Sequence, residues 1–130
     1  MINGNIRDEL IAAACRAREN AYAPYSSYKV GAALLARSGK IYSGANFENA
    51  SFGAGTCAER VALGAALSAG ERKFLAVACV GGEGITPCGI CRQALSEFGD
   101  VFVITALPDG TVQKEFRLSE LLPHAFDMKS

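Results

Sequence analysis

The 130-residue chain has no excess of charge of either sign, thirteen Lys and Arg standing against thirteen Asp and Glu. It therefore presents no global basic field to attract a polyanion, and nucleic acid is disfavoured as a partner. No stretch approaches the roughly 18 to 20 consecutive apolar residues of a membrane span, and the polar start MINGNIRDEL lacks the apolar core of a secretory signal. These absences read as a soluble, cytoplasmic protein with no membrane partner. No internal repeat, low-complexity tract or linker interrupts the chain, and half of its residues are hydrophobic. One domain over residues 1–130 with a substantial core is expected. The five cysteines are an odd number, and without a secretory signal a disulfide framework gives way to metal binding or catalysis. The one histidine, His124, follows Pro123 near the C-terminus and reads as a surface or interface residue rather than a zinc ligand.

Periodicity supplies the elements. Ile6, Leu10, Ile11 and Ala14 recur at helical spacing from Asn5 to about Asn20, with Asn5 as the expected cap and Asp8 in the first turn. The loop AYAPYSSY precedes two runs, KVGAALLA and KIYSGAN, that flank the turn RSG as an antiparallel hairpin. A Gly, Asn and Ser-rich loop then feeds a second helix at about Cys57. The apolar run KFLAVACV has strand length, and CGICRQALSEFG reads as a third helix beginning beside Cys88 and closed by Gly99. VFVITA and TVQKEFR make two more strands around LPDG, and LSELLPHAF a short helix broken by Pro123. The order α-β-β-α-β-α-β-β-α predicts an α/β fold of three layers, α-β-α, around a mixed five-stranded sheet.

Three cysteines have metal-ligand spacing. Catalytic zinc commonly takes three protein ligands and leaves one position open, and Cys57, Cys88 and Cys91 supply three thiolates. Cys57 and Cys88 each open a helix, where unpaired N–H groups and the positive dipole end favour an anionic sulfur. Glu59 lies two residues after Cys57, so the two side chains do not share a helix face and Glu59 is a poor fourth ligand. It can instead stand beside the open position and move protons. Three thiolates donate heavily to a metal and blunt its Lewis acidity, which Arg60 could offset by hydrogen bonding to sulfur. Each fragment alone has a plainer reading. The C-x-x-C pair fits half a structural zinc site or a redox couple, and the upstream CAE fits a buried Cys with a Glu in a helix's first turn. Together, with Pro87 before the pair, they match the zinc deaminase pattern, in which a non-ligating Glu is the general acid and base.

The stretches AYAPYSSYKVGAALL, NFENASFGAGTCAER, PCGICRQ and ELLPHAF occur in that order, and over Ala21 to Phe126 the chain resembles the small homotetrameric zinc cytidine deaminases of pyrimidine salvage. The resemblance implies hydrolytic deamination of cytidine and 2′-deoxycytidine to the uridines plus ammonia. It implies one zinc per subunit on Cys57, Cys88 and Cys91, a zinc-activated hydroxide attacking C4, Glu59 as proton shuttle to N3 and then to the amine, and Arg60 compensating the thiolate charge. Asn46 and Glu48 match a pair that binds the ribose 3′-hydroxyl, as an amide and a carboxylate together can. The backbone at Ala58 matches a contact to the base, and Phe126 an aromatic that stacks on the pyrimidine of a neighbouring subunit. Active sites shared within a homotetramer follow from the same likeness.

Two positions depart from the family pattern. Tyr28 stands where Phe usually lines the base pocket, and Phe52 where Tyr is usual near an intersubunit contact. The hydroxyl gained at 28 either changes the pocket's polarity or points outward, and the one lost at 52 removes a candidate intersubunit hydrogen bond. Cys15 and Cys79 read as buried core residues, and Arg92 and Gln93 as supports of the metal site. A blasticidin S-type aminohydrolase and a non-catalytic structural-zinc module are the alternative functions, and a polynucleotide deaminase is disfavoured by the balanced charge and short loops.

Overall fold

The computed structural model describes residues 2–129. Helix α1 runs Gly4–Arg18, and its N-cap is Asn3 rather than the expected Asn5: the Asn3 backbone is extended and its side chain accepts from the Ile6 N–H. Asp8 accordingly lies past the first turn, which holds no acidic residue. The hairpin is β1 (Gly31–Ala36) and β2 (Ile41–Ala45), followed by a short 3-10 turn at Phe52–Ala54 and by α2 (Ala58–Ser68). Then come β3 (Phe74–Val80), α3 (Gly89–Ser96), β4 (Phe102–Ala106), β5 (Val112–Arg117) and α4 (Leu118–Leu121).

The five strands form one sheet in the order β2-β1-β3-β4-β5. Only β3 and β4 are parallel, and α3 makes the crossover that a parallel pair requires. Every residue of β1 is buried, because side chains alternate between two covered faces. Ala33 and Leu35 join Ala76, Ala78 and Ile104 under Leu10, Ile11 and Ala14 of α1. On the opposite face Ala32, Leu34, Val77, Cys79 and Val103 pack beneath Ala62, Leu63 and Ala66 of α2 and Leu95 of α3. The mixed sheet thus lies between helical layers, as the element order predicts.

Small residues set the spacing between layers. A Cβ on Gly31 would stand 2.0 Å from the Ala14 carbonyl oxygen of α1, and one on Gly44 would stand 2.6 Å from the Ala62 nitrogen of α2. Both helices therefore rest against strand backbone. The seating of α2 matters most for function, since it carries Cys57 and Glu59 at one end.

Candidate active site

Cys57 is the N-cap of α2 and Cys88 the N-cap of α3, with Cys91 one turn along α3. Neither cap side chain bonds back to its own helix, which leaves the sulfurs to face one another. The Sγ atoms lie 3.7 Å apart for Cys57 and Cys88 and 3.6 Å apart for Cys88 and Cys91, all three falling within 4.8 Å. Bonds of about 2.3 Å to a tetrahedral zinc place sulfurs about 3.8 Å apart, so the thiol set fits that ion with little adjustment. Among the described residues no carboxylate joins the group.

The cluster is already electrostatically prepared. The hydrogen bond shared with Cys91, supported by Arg60 and Cys88 and opposed by burial, draws the Cys57 pKa from 9.0 down to about 5. The same sharing with Cys57, together with burial, pushes Cys91 up. The shared contacts favour negative charge on the cluster, and metal binding to thiols releases protons. Arg60 extends Nη2 to 3.8 Å from the Cys57 sulfur, the charge-offsetting contact expected from its place in the sequence. Hydrogen bonding to Cys91 and Cys57 raises the Arg60 pKa in turn.

Glu59 is 4% exposed, and burial raises its pKa. It faces a cleft of about 380 Å³ lined by Tyr28, Asn46, Cys57, Ala58 and Cys88 among others. A carboxyl held towards neutrality beside a thiolate cluster can carry a proton as well as accept one. A wider hollow of about 540 Å³ adjoins it across Asn46 and Cys57, lined by Tyr25, Phe47, Glu48, Phe52 and Arg60. Glu59 opens into the narrower cleft and not into the wide hollow.

The residues expected to bind substrate are placed unequally. Tyr28, Asn46 and Ala58 line the cleft with Glu59, and Glu48 lines the adjoining hollow. Asn46 is committed to backbone, accepting from Val30 N–H at 2.8 Å and donating to the Tyr28 carbonyl at 3.0 Å. Glu48 accepts from the Tyr25 and Ser26 N–H groups at 2.9 and 3.1 Å and from the Ser26 hydroxyl. Both side chains therefore brace the loop that carries Tyr28, whose Ser27 holds a left-handed φ of 61°. The Tyr28 hydroxyl accepts from the Gly82 N–H at 3.1 Å, tying this loop to the one after β3. Phe126 is 71% exposed and lies outside the cleft lining, its carbonyl held by Gln93 Nε2 at 3.0 Å.

Arg92 grips the Pro87 and Leu121 carbonyls at 2.7 and 2.8 Å and the Thr86 hydroxyl at 3.1 Å. Arg92 thus fixes the backbone before Cys88 and Gln93 holds the C-terminal segment; among the described residues neither is hydrogen-bonded to a cysteine sulfur. Cys79 is fully buried as expected, but it does more than fill space: its sulfur stands 3.7 Å from Glu59 Oε2. An apolar run carries no signal of such a contact, because strand alternation tells which face a residue takes and not which helix residue it meets. Cys15 departs from expectation. It is half-buried at the edge of α1, with its sulfur 3.6 Å from the Pro108 carbonyl, because the β4–β5 turn reaches back over the helix without covering it.

Three clustered thiols, two of them lining a cleft with a buried carboxylate in an α-β-α sandwich, make the architecture of a zinc-dependent deaminase. The family model for the cytidine and deoxycytidylate deaminase zinc-binding region matches residues 5–107. A cytidine deaminase of Halalkalibacterium halodurans is 48% identical over 124 residues, covering 92% of this chain and 93% of its own. That of Sporosarcina psychrophila is 46% identical over 123 residues, covering 92% and 90%. The crystal structure of cytidine deaminase from Burkholderia pseudomallei superposes with a TM-score of 0.86 at 46% identity, over 96% of this chain and 100% of that one. The chain belongs to the cytidine deaminase family.

Proposed function

We propose that this protein, acting as one domain over residues 1–130, hydrolyses cytidine and 2′-deoxycytidine to uridine and 2′-deoxyuridine with release of ammonia. The observation that carries the reading is the three-cysteine cluster, two of whose members, Cys57 and Cys88, line a cleft with buried Glu59. Cys57, Cys88 and Cys91 would hold one zinc per subunit. Zinc there supplies a Lewis acid that makes water nucleophilic near neutral pH.

The protein's own groups do the rest. Glu59 accepts a proton from the attacking water and delivers it to pyrimidine N3 as the new C4–O bond forms. It then carries a second proton to the amine as the C4–N bond breaks, so the products are the C4 carbonyl and ammonia. Burial raises its pKa, the direction that helps a carboxylate carry a proton. Arg60 holds Cys57 in place and shares its negative charge. Ala58, at the first turn of α2, offers backbone to the base, and Tyr28 presents its ring because its hydroxyl is turned to Gly82.

Asn46 and Glu48 are the proposed ribose contacts. Since both are already hydrogen-bonded to the Tyr28 loop, a 3′-hydroxyl would share their remaining lone pairs or displace the Ser26 hydroxyl from Glu48. Exposed Phe126 is the proposed stacking surface for a pyrimidine held by a neighbouring subunit, in a homotetramer with shared sites. A cytoplasmic role in pyrimidine salvage fits this substrate class. Among the described residues no helix is long and apolar enough to cross a membrane.

A substrate panel tests the reading: cytidine, deoxycytidine, blasticidin S and a cytosine-containing oligonucleotide, scored for ammonia. The two nucleosides should be turned over and the others not. Glu59→Gln should retain zinc and lose all but about a thousandth of the rate. Turnover of blasticidin S alone identifies the related aminohydrolase, and zinc binding with no turnover identifies a structural-zinc module.

A further inference from the structure

Cys79 occupies the central strand β3, paired with Ala32 of β1 on one side and Thr105 of β4 on the other. It is 0% exposed and lies on the sheet face covered by α2. Its sulfur stands 3.7 Å from Glu59 Oε2, the only side-chain hydrogen bond to that carboxylate among the described residues. Cys79 belongs to no metal-ligating group and does not line the cleft. From these contacts we propose that Cys79 is the positioning residue of Glu59: its thiol pins Oε2 against the sheet and so turns Oε1 to the cleft.

The need for such a pin follows from the side chain it holds. A glutamate has three rotatable bonds, and proton transfer requires one oxygen within hydrogen-bond reach of the reacting atoms throughout the cycle. The helix fixes the Glu59 Cα but not its torsions. A thiol is a weak donor with a long reach, so it restrains the carboxylate from beneath while occupying little more than an alanine's volume. That economy suits a face where Ala58 and Ala62 are packed with no exposure at all.

The inference rests on Glu59 being the proton shuttle, and the test separates the two. Zinc-loaded wild type, Glu59→Gln, Cys79→Ala, Cys79→Val and Cys79→Ser are compared for kcat and KM on cytidine, with zinc content and thermal midpoint measured on each. Cys79→Ala and Cys79→Val lack a donor and should lose about tenfold in kcat, with KM within about twofold and zinc content unchanged. Cys79→Ser keeps a donor on the same carbon and should restore at least about half of the wild-type kcat. The proposal is overturned if the Ala and Val variants keep kcat within about twofold of wild type, if Ser falls as far as they do, or if the loss is entirely in KM or in zinc. Should Val fail to fold, the Ala and Ser pair decides by the same criteria. A wild type inert toward cytidine, or a Glu59→Gln variant at full rate, overturns the underlying reading instead, whatever the Cys79 variants do.

Discussion

Glu48 shows how a single side chain can be prominent in sequence for one reason and placed in space by another. Its motif points to a sugar hydroxyl, whereas its carboxylate accepts three hydrogen bonds from Tyr25 and Ser26. The Ser26 hydroxyl and then the two backbone N–H groups hold its pKa below the ordinary 4.5. A carboxyl depressed in the folded state stabilises the fold fully above the unfolded value and loses that contribution as pH falls through the lower, folded one. Wild type should therefore be more stable than Glu48→Gln at neutral pH, and the gap should close below about pH 4.5. Urea midpoints of both proteins across that range check it, and a gap that persists in acid would falsify the assignment to the ionised carboxylate. The same lesson applies to Tyr28, whose extra hydroxyl was undecided in sequence. Its bond to the Gly82 N–H settles that the group joins two loops.

At the scale of elements, the site depends on where α2 and α3 begin. The periodic runs place both helix starts correctly, because Cys57 and Cys88 follow loops and precede regular apolar spacing. Helix α1 was less legible: Asn3 and Asn5 are both good caps, and only the backbone conformation at Asn3 distinguishes them. What holds α2 in position is Gly44, where a Cβ would also approach the Ala58 carbonyl oxygen to 2.8 Å. Gly44→Ala should push the helix off the sheet, costing about 1–3 kcal/mol. Because the helix carries Cys57, zinc content should fall with it. Chemical denaturation and metal analysis of the variant measure both, and an unchanged zinc content would show that the cluster tolerates a displaced α2.

For the whole molecule, aromatic exposure is the telling feature. Phe52 is 89% exposed on its 3-10 turn, beside Tyr25 and Phe47 at the wide hollow. Scattered apolar residues on a surface need no explanation, but a group of exposed aromatics next to the Glu59 cleft is the composition of an association surface. On the proposed tetramer, wild type should sediment as four chains. Phe52→Glu should shift it to smaller species and lower kcat/KM for cytidine by about tenfold or more. Analytical ultracentrifugation with parallel kinetics tests this, and a fully active single-chain wild type would remove the case for shared sites.

The chain's sequence by itself determined the order of elements, the two helix starts at Cys57 and Cys88, and the residue types for a three-thiol centre with a separate carboxylate nearby. These are local properties, set by spacing along one element or by adjacency in a motif. Only tertiary structure decided that three sulfurs from two helices meet within 4.8 Å, that Asn46 and Glu48 brace the Tyr28 loop, and that Cys79 lies under Glu59. The meeting of Cys79 with Glu59 depends on how closely α2 settles on the sheet. That distance is set by glycines and alanines, whose effect appears only when another part of the chain comes to rest on them.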